Sequence, residues 1–295
     1  MGALRLVALV VVLTVFTVVL MPLQSAAIRL KWPIAARLPW YWQRIACRIV
    51  GIRVRVEGKP AAAPLIIAAN HISWLDISVI GSVLPVSFVS KAEVAGWPVV
   101  GTLARLQRTV FIGRTRRSQT ASATAAIAER VGRGDVIVLF AEGTTGDGNR
   151  VLPFRSALLG AARAASGSGL ITVQPVAITY AAIHGVPIGR VDRPMIAWYG
   201  NMKLHGHFLK LVTTGGLDVV VSFGEPIAFG AGVDRKEVAD RCFESVRAMV
   251  DDVRRHWPAS PDRHRAPVFS ASAKGAKAAA EASPADEAGE TVRLS

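Results

Sequence analysis

Cysteine occurs only twice in the 295 residues, at Cys47 and Cys242, both in segments patterned as helices. Two thiols so far apart give neither a disulfide framework nor a zinc site, and reduced thiols agree with a cytosolic location. Acids are scarce as well: 21 Asp and Glu stand against 35 Lys and Arg, for a formal charge of +14 and a pI near 10.8. No acid precedes Glu57, whereas nine Lys or Arg lie in residues 1 to 60. This N-terminal excess favours an anionic partner, with nucleic acid, a phospholipid surface and an acidic carrier protein as the classes to separate. No internal repeat is evident, and 51% apolar residues are ample for a packed core.

The run LVALVVVLTVFTVVLMPL, residues 6 to 23, is eighteen residues without a charge. As a helix it reaches about 27 Å, close to the ~30 Å hydrocarbon core of a bilayer. A cleaved signal peptide is the rival reading, because a basic start, an apolar run and small residues at Ser25 and Ala27 resemble a processing site. Seven Lys or Arg follow before the first acid, an excess that stays cytoplasmic under the positive-inside rule. The anchor reading therefore places the bulk of the chain on the cytosolic face of the inner membrane. The next segment, WPIAARLPWYWQRIACRIVGI, mixes Trp32, Trp40, Tyr41 and Trp42 with Arg37, Arg44 and Arg48. It reads as an interfacial amphipathic helix, with an ordinary helix packed on the domain as the alternative.

From residue 52 short apolar runs alternate with helix-length segments. Strands are expected at 52–58, 65–70, 86–90, 109–113, 136–140, 172–180, 194–200 and 217–224. Helices are expected at WLDISVIGSVL, SQTASATAAIAERVGRG and RSALLGAARAAS. This pattern predicts an α/β domain whose mixed, largely parallel sheet is flanked by helices, with functional loops at strand ends. A last helix starts at Asp234, which forms a capping-box pattern with Glu237, and packs through Val238, Cys242, Val246, Met249 and Val253. The tail from 259 to 295 has too little apolar content to offset ordering entropy and reads as disordered. The organisation is thus an anchor and interfacial helix over 1–50, a catalytic domain over 51–258, and the tail.

The stretch NHISWLD, residues 70 to 76, places a histidine, a serine and an aspartate at the end of an apolar strand. Ser73 and Asp76 suit a helix start, Ser73 as N-cap and Asp76 as a first-turn acid. On one continuous helix, five residues turn through about 500°, which leaves His71 and Asp76 about 140° apart and unable to pair. With His71 in the turn and Asp76 inside the helix, the carboxylate reaches the imidazole. It then fixes the tautomer and leaves the other ring nitrogen free to take a proton. Three further strand ends are candidates. Arg114, after TVFIG, offers a guanidinium to clamp a phosphate, a solvated arginine being the alternative. In FAEGTTGDGNR a strand empties into Glu142, Gly143, Thr144 and Thr145, where Gly143 lets the backbone approach a ligand and the hydroxyls suit phosphate oxygens; a plain turn is the alternative, and the segment matches neither a Walker loop nor a dinucleotide fingerprint. VQPVAITY carries Pro175 where a strand meets a loop. His205 and His207 in LHGHF lack a third ligand at recognisable spacing, so no metal site is expected and both are read as helix-surface residues.

In order, these segments resemble the phospholipid-synthesis acyltransferase family that contains the 1-acyl-sn-glycerol-3-phosphate acyltransferases. NHISWLD matches its N-H-x-x-x-x-D motif. Lys91, Glu93, Pro98, Gly101 and the FIGR run to Arg114 match the second motif, FAEGT the third and VQPVAI the fourth. The resemblance implies that His71 is the general base, Asp76 its orienting partner, and Arg114, Glu142, Gly143 and Thr144 the binding site for the acceptor. It also implies no cofactor beyond a thioester donor, acyl carrier protein or coenzyme A, a lysophospholipid acceptor in the bilayer, and no nucleic acid. Three positions depart from the common pattern: Gly113 replaces Asp, Ala141 replaces Pro, and Thr145 replaces Arg. The expected reaction is acylation of the sn-2 hydroxyl of lysophosphatidate. The loss of arginine at 145 motivates the alternative, a lyso-ornithine lipid O-acyltransferase. A non-catalytic protein that binds anionic lipid or nucleic acid through its basic face leaves the four ordered motifs unexplained.

Overall fold

The run LIIAA, residues 65–69, has no polar side chain, and all five residues are fully buried, as a central strand covered on both faces must be. Leu65, Ile67 and Ala69 join one apolar cluster, and Ile66 and Ala68 join the other. That split is the two-residue period of a strand.

The computed structural model describes residues 2–113, 117–165, 170–230 and 232–257. Along the chain the elements are α1 (Gly2–Arg29), α2 (Ile34–Val50), β1 (Ile52–Glu57), β2 (Leu65–Ala69), α3 (Leu75–Val83), β3 (Ser87–Lys91), α4 (Val100–Leu106), β4 (Val110–Ile112), α5 (Arg117–Gly132), β5 (Val136–Phe140), α6 (Ser156–Ala165), β6 (Ile171–Ile183), β7 (Val186–Pro187), α7 (Leu204–Thr214), β8 (Leu217–Phe223), β9 (Ile227–Phe229) and α8 (Arg235–His256). The sheet order is β1-β8-β6-β2-β5-β3-β4, with β7 and β9 also paired to β6. Strands β6, β2, β5, β3 and β4 run parallel, while β1 and β8 form a parallel pair antiparallel to β6. The sheet is therefore mixed and largely parallel. Helices α2, α3 and α7 cover one face through Cys47, Ile80 and Leu211. Helices α6 and α8 cover the other through Leu159 and Val246.

The expected last helix begins as its sequence indicates: the Asp234 side chain accepts the N–H of Lys236 at 3.0 Å. Its buried stripe runs through Val238, Cys242, Val246, Val250 and Val253, with Met249 only partly buried beside it. Both cysteines are buried and free.

Two expectations about strands need correction. Residues 194–200 are not a strand: Arg193–Met195 is a 3-10 turn, and the segment meets the turn after β2 through Trp198 N–H on the Ile72 carbonyl. Pro194 has no N–H to give a ladder. Pro175 does not end a strand either. It lies inside β6, between the residues that pair with β9 (171–173) and those that pair with β8 (from Val176). In that gap its missing N–H costs no ladder bond.

At the N-terminus α1 spans 28 residues, about 42 Å. Among the described residues, one helix, Val7–Arg29, is long and apolar enough to cross a membrane. Its end is tied down: Gln24 is buried and donates to the carbonyls of Ala35 and Leu106, and Ala27 is fully buried. Its outer face is open, with Val7, Val11, Val15, Val18 and Val19 all more than half exposed. Helix α2 packs on α3, with Trp40 donating to the Ser82 carbonyl at 3.0 Å and Gly81 lying against Gln43. Tyr41 and Ile45 of α2 are exposed, as the outer valines of α1 are. The tail expected to be disordered, and Arg114, lie outside the described residues.

Candidate active site

The parallel strands β2 and β5 end side by side, and the chain leaves both at the same edge. After β2 come Asn70 and His71; after β5 come Ala141, Glu142 and Gly143. Two backbone bonds lock these exits together: Ala141 N–H to the Ala69 carbonyl at 3.0 Å, and Gly146 N–H to the His71 carbonyl at 2.9 Å. A crevice at the carboxyl ends of parallel strands is the usual ligand position in α/β sheets.

His71 lies outside the helix and Asp76 inside its first turn, as the spacing requires. Nδ1 of His71 is 2.8 Å from Oδ2 of Asp76. The same oxygen accepts the N–H groups of Ile72 at 2.6 Å and Ser73 at 2.9 Å. Oδ1 accepts the Tyr180 hydroxyl at 2.7 Å. Asp76 is completely buried, while the His71 side chain keeps 19% of its surface exposed. The imidazole stacks on Phe140, centroids 3.9 Å apart and planes within 10°. Carboxylate and ring face together fix the imidazole, and no hydrogen bond to Nε2 occurs among the described residues. An Nδ1–H held by a carboxylate leaves the Nε2 lone pair able to take a proton from a hydroxyl.

Ser73 does not act as the expected N-cap. Its buried hydroxyl has no hydrogen-bond partner among the described residues, because Asp76 reaches back and satisfies the free N–H groups itself. This is the return half of a capping box, performed by the residue that also holds the histidine.

Glu142 is 2% exposed and sits beneath its loop rather than on it. One carboxyl oxygen accepts the Leu152 N–H at 3.2 Å; the other has no partner among the described residues. Burial pushes its carboxyl up to about 8, opposed by the N–H groups of Leu152 and His71 and reinforced by the nearby Asp76 charge. At neutral pH the group is therefore mainly a neutral acid. Gly143 adopts φ +70°, and a Cβ there would lie 2.8 Å from Cδ of Arg155. The space left by its absent side chain is thus filled by Arg155, whose Nε donates to the Glu142 carbonyl at 3.0 Å. Thr144 is exposed at the turn. His71, Asp76, Glu142, Gly143 and Thr144 accordingly gather at one sheet edge.

Several residues at this edge had no assigned part in the sequence reading. Asn70, Phe140, Arg155 and Tyr180 all touch the dyad or its loop. Asn70 and Phe140 stood inside motifs, in NHISWLD and FAEGT, without a part of their own. His207, expected on a helix surface, is buried and accepts the Trp74 indole N–H at 3.0 Å; His205 is the exposed member of the pair. Desolvation holds the His207 ring below the usual imidazole range, so it acts as a neutral acceptor for Trp74, beside the turn that carries His71.

Comparison with known proteins agrees with this architecture. The Acyltransferase family model matches residues 52–179. A lyso-ornithine lipid O-acyltransferase of Brucella abortus is 45% identical over 253 residues, covering 84% of this chain and 95% of that protein. A 1-acyl-sn-glycerol-3-phosphate acyltransferase of Neisseria gonorrhoeae is 33% identical over 211 residues, covering 70% and 78%. In fold, the crystal structure of the 1-acyl-sn-glycerophosphate acyltransferase PlsC of Thermotoga maritima superposes with a TM-score of 0.57 at 21% identity, over 87% of this chain and 99% of that one. With the sheet-edge histidine and aspartate in place and relatives matched along most of their length, the chain belongs to the acyltransferase family that includes the 1-acyl-sn-glycerol-3-phosphate acyltransferases.

Proposed function

We propose that this enzyme is a lyso-ornithine lipid O-acyltransferase, which transfers a fatty acyl group from a thioester on acyl carrier protein or coenzyme A to the hydroxyl of a lyso-ornithine lipid. One observation carries the choice of acceptor: identity is 45% over 84% of the chain with a protein of that activity, against 33% over 70% with a lysophosphatidate enzyme. This replaces lysophosphatidate as the leading acceptor. Thr145 in place of the arginine common in the third motif supports the same reading, since an ornithine headgroup carries no phosphate for a guanidinium to clamp.

In the proposed reaction His71 Nε2 takes the proton of the acceptor hydroxyl as its oxygen attacks the thioester carbonyl. Asp76 stabilises the imidazolium that forms. Collapse of the tetrahedral intermediate breaks the carbon–sulfur bond, and the imidazolium returns its proton to the departing thiolate, which closes the proton balance. No covalent acyl-enzyme is needed. Burying Glu142 as a neutral acid keeps a second negative charge away from Asp76.

Membrane attachment follows from the substrate, and the N-terminal excess of cations favours the cytosolic face of the inner membrane. Each methylene removed from water is worth about 0.8 kcal/mol, so a long-chain lysolipid resides in the bilayer. The exposed valines of α1 and the exposed Tyr41 and Ile45 of α2 suit that surface, and the N-terminal cations suit its anionic headgroups.

The test is product identification by mass after incubating detergent-extracted enzyme with lyso-ornithine lipid or lysophosphatidate and each thioester donor. Ornithine lipid as the main product is expected. Phosphatidic acid formed with little or no ornithine lipid would overturn the acceptor assignment.

A further inference from the structure

We propose that Tyr180 is a positioning residue of the catalytic dyad: its hydroxyl holds Asp76 from the side opposite His71 and sets how strongly the carboxylate supports a proton on the imidazole. The proposal rests on the reading of His71 as the general base and is independent of the acceptor.

Asp76 is completely buried, and a buried carboxylate is tolerated only when its lone pairs are met by donors. Among the described residues its one ion-pair partner is His71, and none of their guanidinium or ammonium groups pairs with it. The donors divide unevenly. Oδ2 takes His71, Ile72 and Ser73, all within the catalytic turn; among the described residues Oδ1 takes Tyr180 alone. Tyr180 comes from 104 residues further along the chain and ties Asp76 to β6, as the Phe140 stack ties His71 to β5. Its own position is fixed. Two residues earlier, Ile178 is bonded through both backbone groups to the Asn70 side chain, and a register shift in the β6–β8 ladder follows between Tyr180 and Ala182. Such irregularities re-aim a strand's side chains.

The phenol stays a donor throughout the working range, because desolvation and the adjacent Asp76 charge raise it well above its ordinary value. Other ionisable groups face the dyad and Tyr180 from each packed element. Cys47 of α2 is pushed up to about 11 by burial and is neutral. Glu142, beyond β5, titrates near 8, on the alkaline side. Arg193 and Arg254 line the small cavity beside Tyr180, with Ile72 and Gly148. The acid limb of the kcat/KM profile is therefore the informative reading.

Donation from Tyr180 withdraws charge from Asp76. Removing it leaves a more basic carboxylate, and the imidazolium is held more tightly. In full-length detergent-solubilised enzyme, Tyr180→Phe should move the acid limb upward by about one pH unit or more, with acceptor KM changed less than twofold. Strengthening the donor should do the reverse. The chain has three tyrosines, and Tyr41 and Tyr199 are exposed. In a Tyr41→Phe/Tyr199→Phe background, biosynthetic 3-fluorotyrosine therefore labels Tyr180 alone, and its more acidic phenol should shift the limb downward. This second arm keeps the hydroxyl and decides the matter if Tyr180→Phe does not fold. Limbs that coincide with the unlabelled parent, while His71→Ala is inactive, would overturn the role of Tyr180. Normal turnover by His71→Ala would instead remove the base reading on which it rests.

Discussion

The side chain of Asn70 is bonded to the backbone of Ile178 twice, its oxygen accepting the N–H at 2.8 Å and its nitrogen donating to the carbonyl at 3.0 Å. Asn70 thus continues the β2–β6 ladder with a side chain just as the main chain turns away to present His71. Asn70→Leu would leave both Ile178 groups buried and unmet, at about 1–3 kcal/mol each. The melting temperature of the purified variant should fall by about 5 °C or more, with transfer reduced in the fraction that remains folded.

Asp76→Asn keeps the shape of the side chain but removes its charge, and its amide NH2 must face one of the donors that now converge on the carboxylate. Initial rates should drop by about 10² to 10⁴, while the protein still sediments with membranes. A variant within twofold of the parent rate would contradict the role of Asp76.

Burial raises the Glu142 carboxyl to about 8 from its ordinary 4.5. Between those values the folded protein binds more protons than the unfolded chain, so this group's contribution is fully present below about 4.5 and declines as pH rises toward 8, by at most about 1.4 kcal/mol per unit. Glu142→Gln cannot ionise. Its melting temperature should depend less on pH between 6 and 8 than that of the parent, a difference that thermal denaturation at several pH values measures.

Gly143→Ala places a methyl group 2.8 Å from Arg155 Cδ at φ +70°, and should cost about 1–2 kcal/mol as Arg155 leaves the Glu142 carbonyl. Gly132→Ala, at the end of α5 with nothing within 4 Å, is the control and should be neutral or slightly stabilising. Denaturant midpoints of the two variants provide the comparison.

Val11→Asp/Val15→Asp/Val18→Asp introduces charge on the open face of α1, where the parent residues are 53%, 57% and 59% exposed. A charge at the centre of a membrane helix costs about 2.5–3.5 kcal/mol. The variant should move from the membrane pellet to the soluble fraction with its circular dichroism retained; unchanged sedimentation would separate α1 from membrane attachment.

Much of this architecture follows from short-range rules. The full burial of LIIAA, the cap at Asp234 and the stripe of α8 obey periodicities of two and 3.6 residues that neighbouring letters carry. The pairing of His71 with Asp76 is equally local, since five residues and one turn bring imidazole and carboxylate together. Contacts between distant segments left no such trace. Nothing around Tyr180 marks it as the partner of Asp76, nothing in LHGHF distinguishes buried His207 from exposed His205, and Gly143 looks like room for a ligand until Arg155 fills it. Residues 194–200 have a strand's composition, yet no strand offers them an edge. Backbone periodicity and turn chemistry are written in adjacent residues. Which side chains meet across the sheet depends on how the strands are ordered and registered, and that is decided only when the whole chain packs.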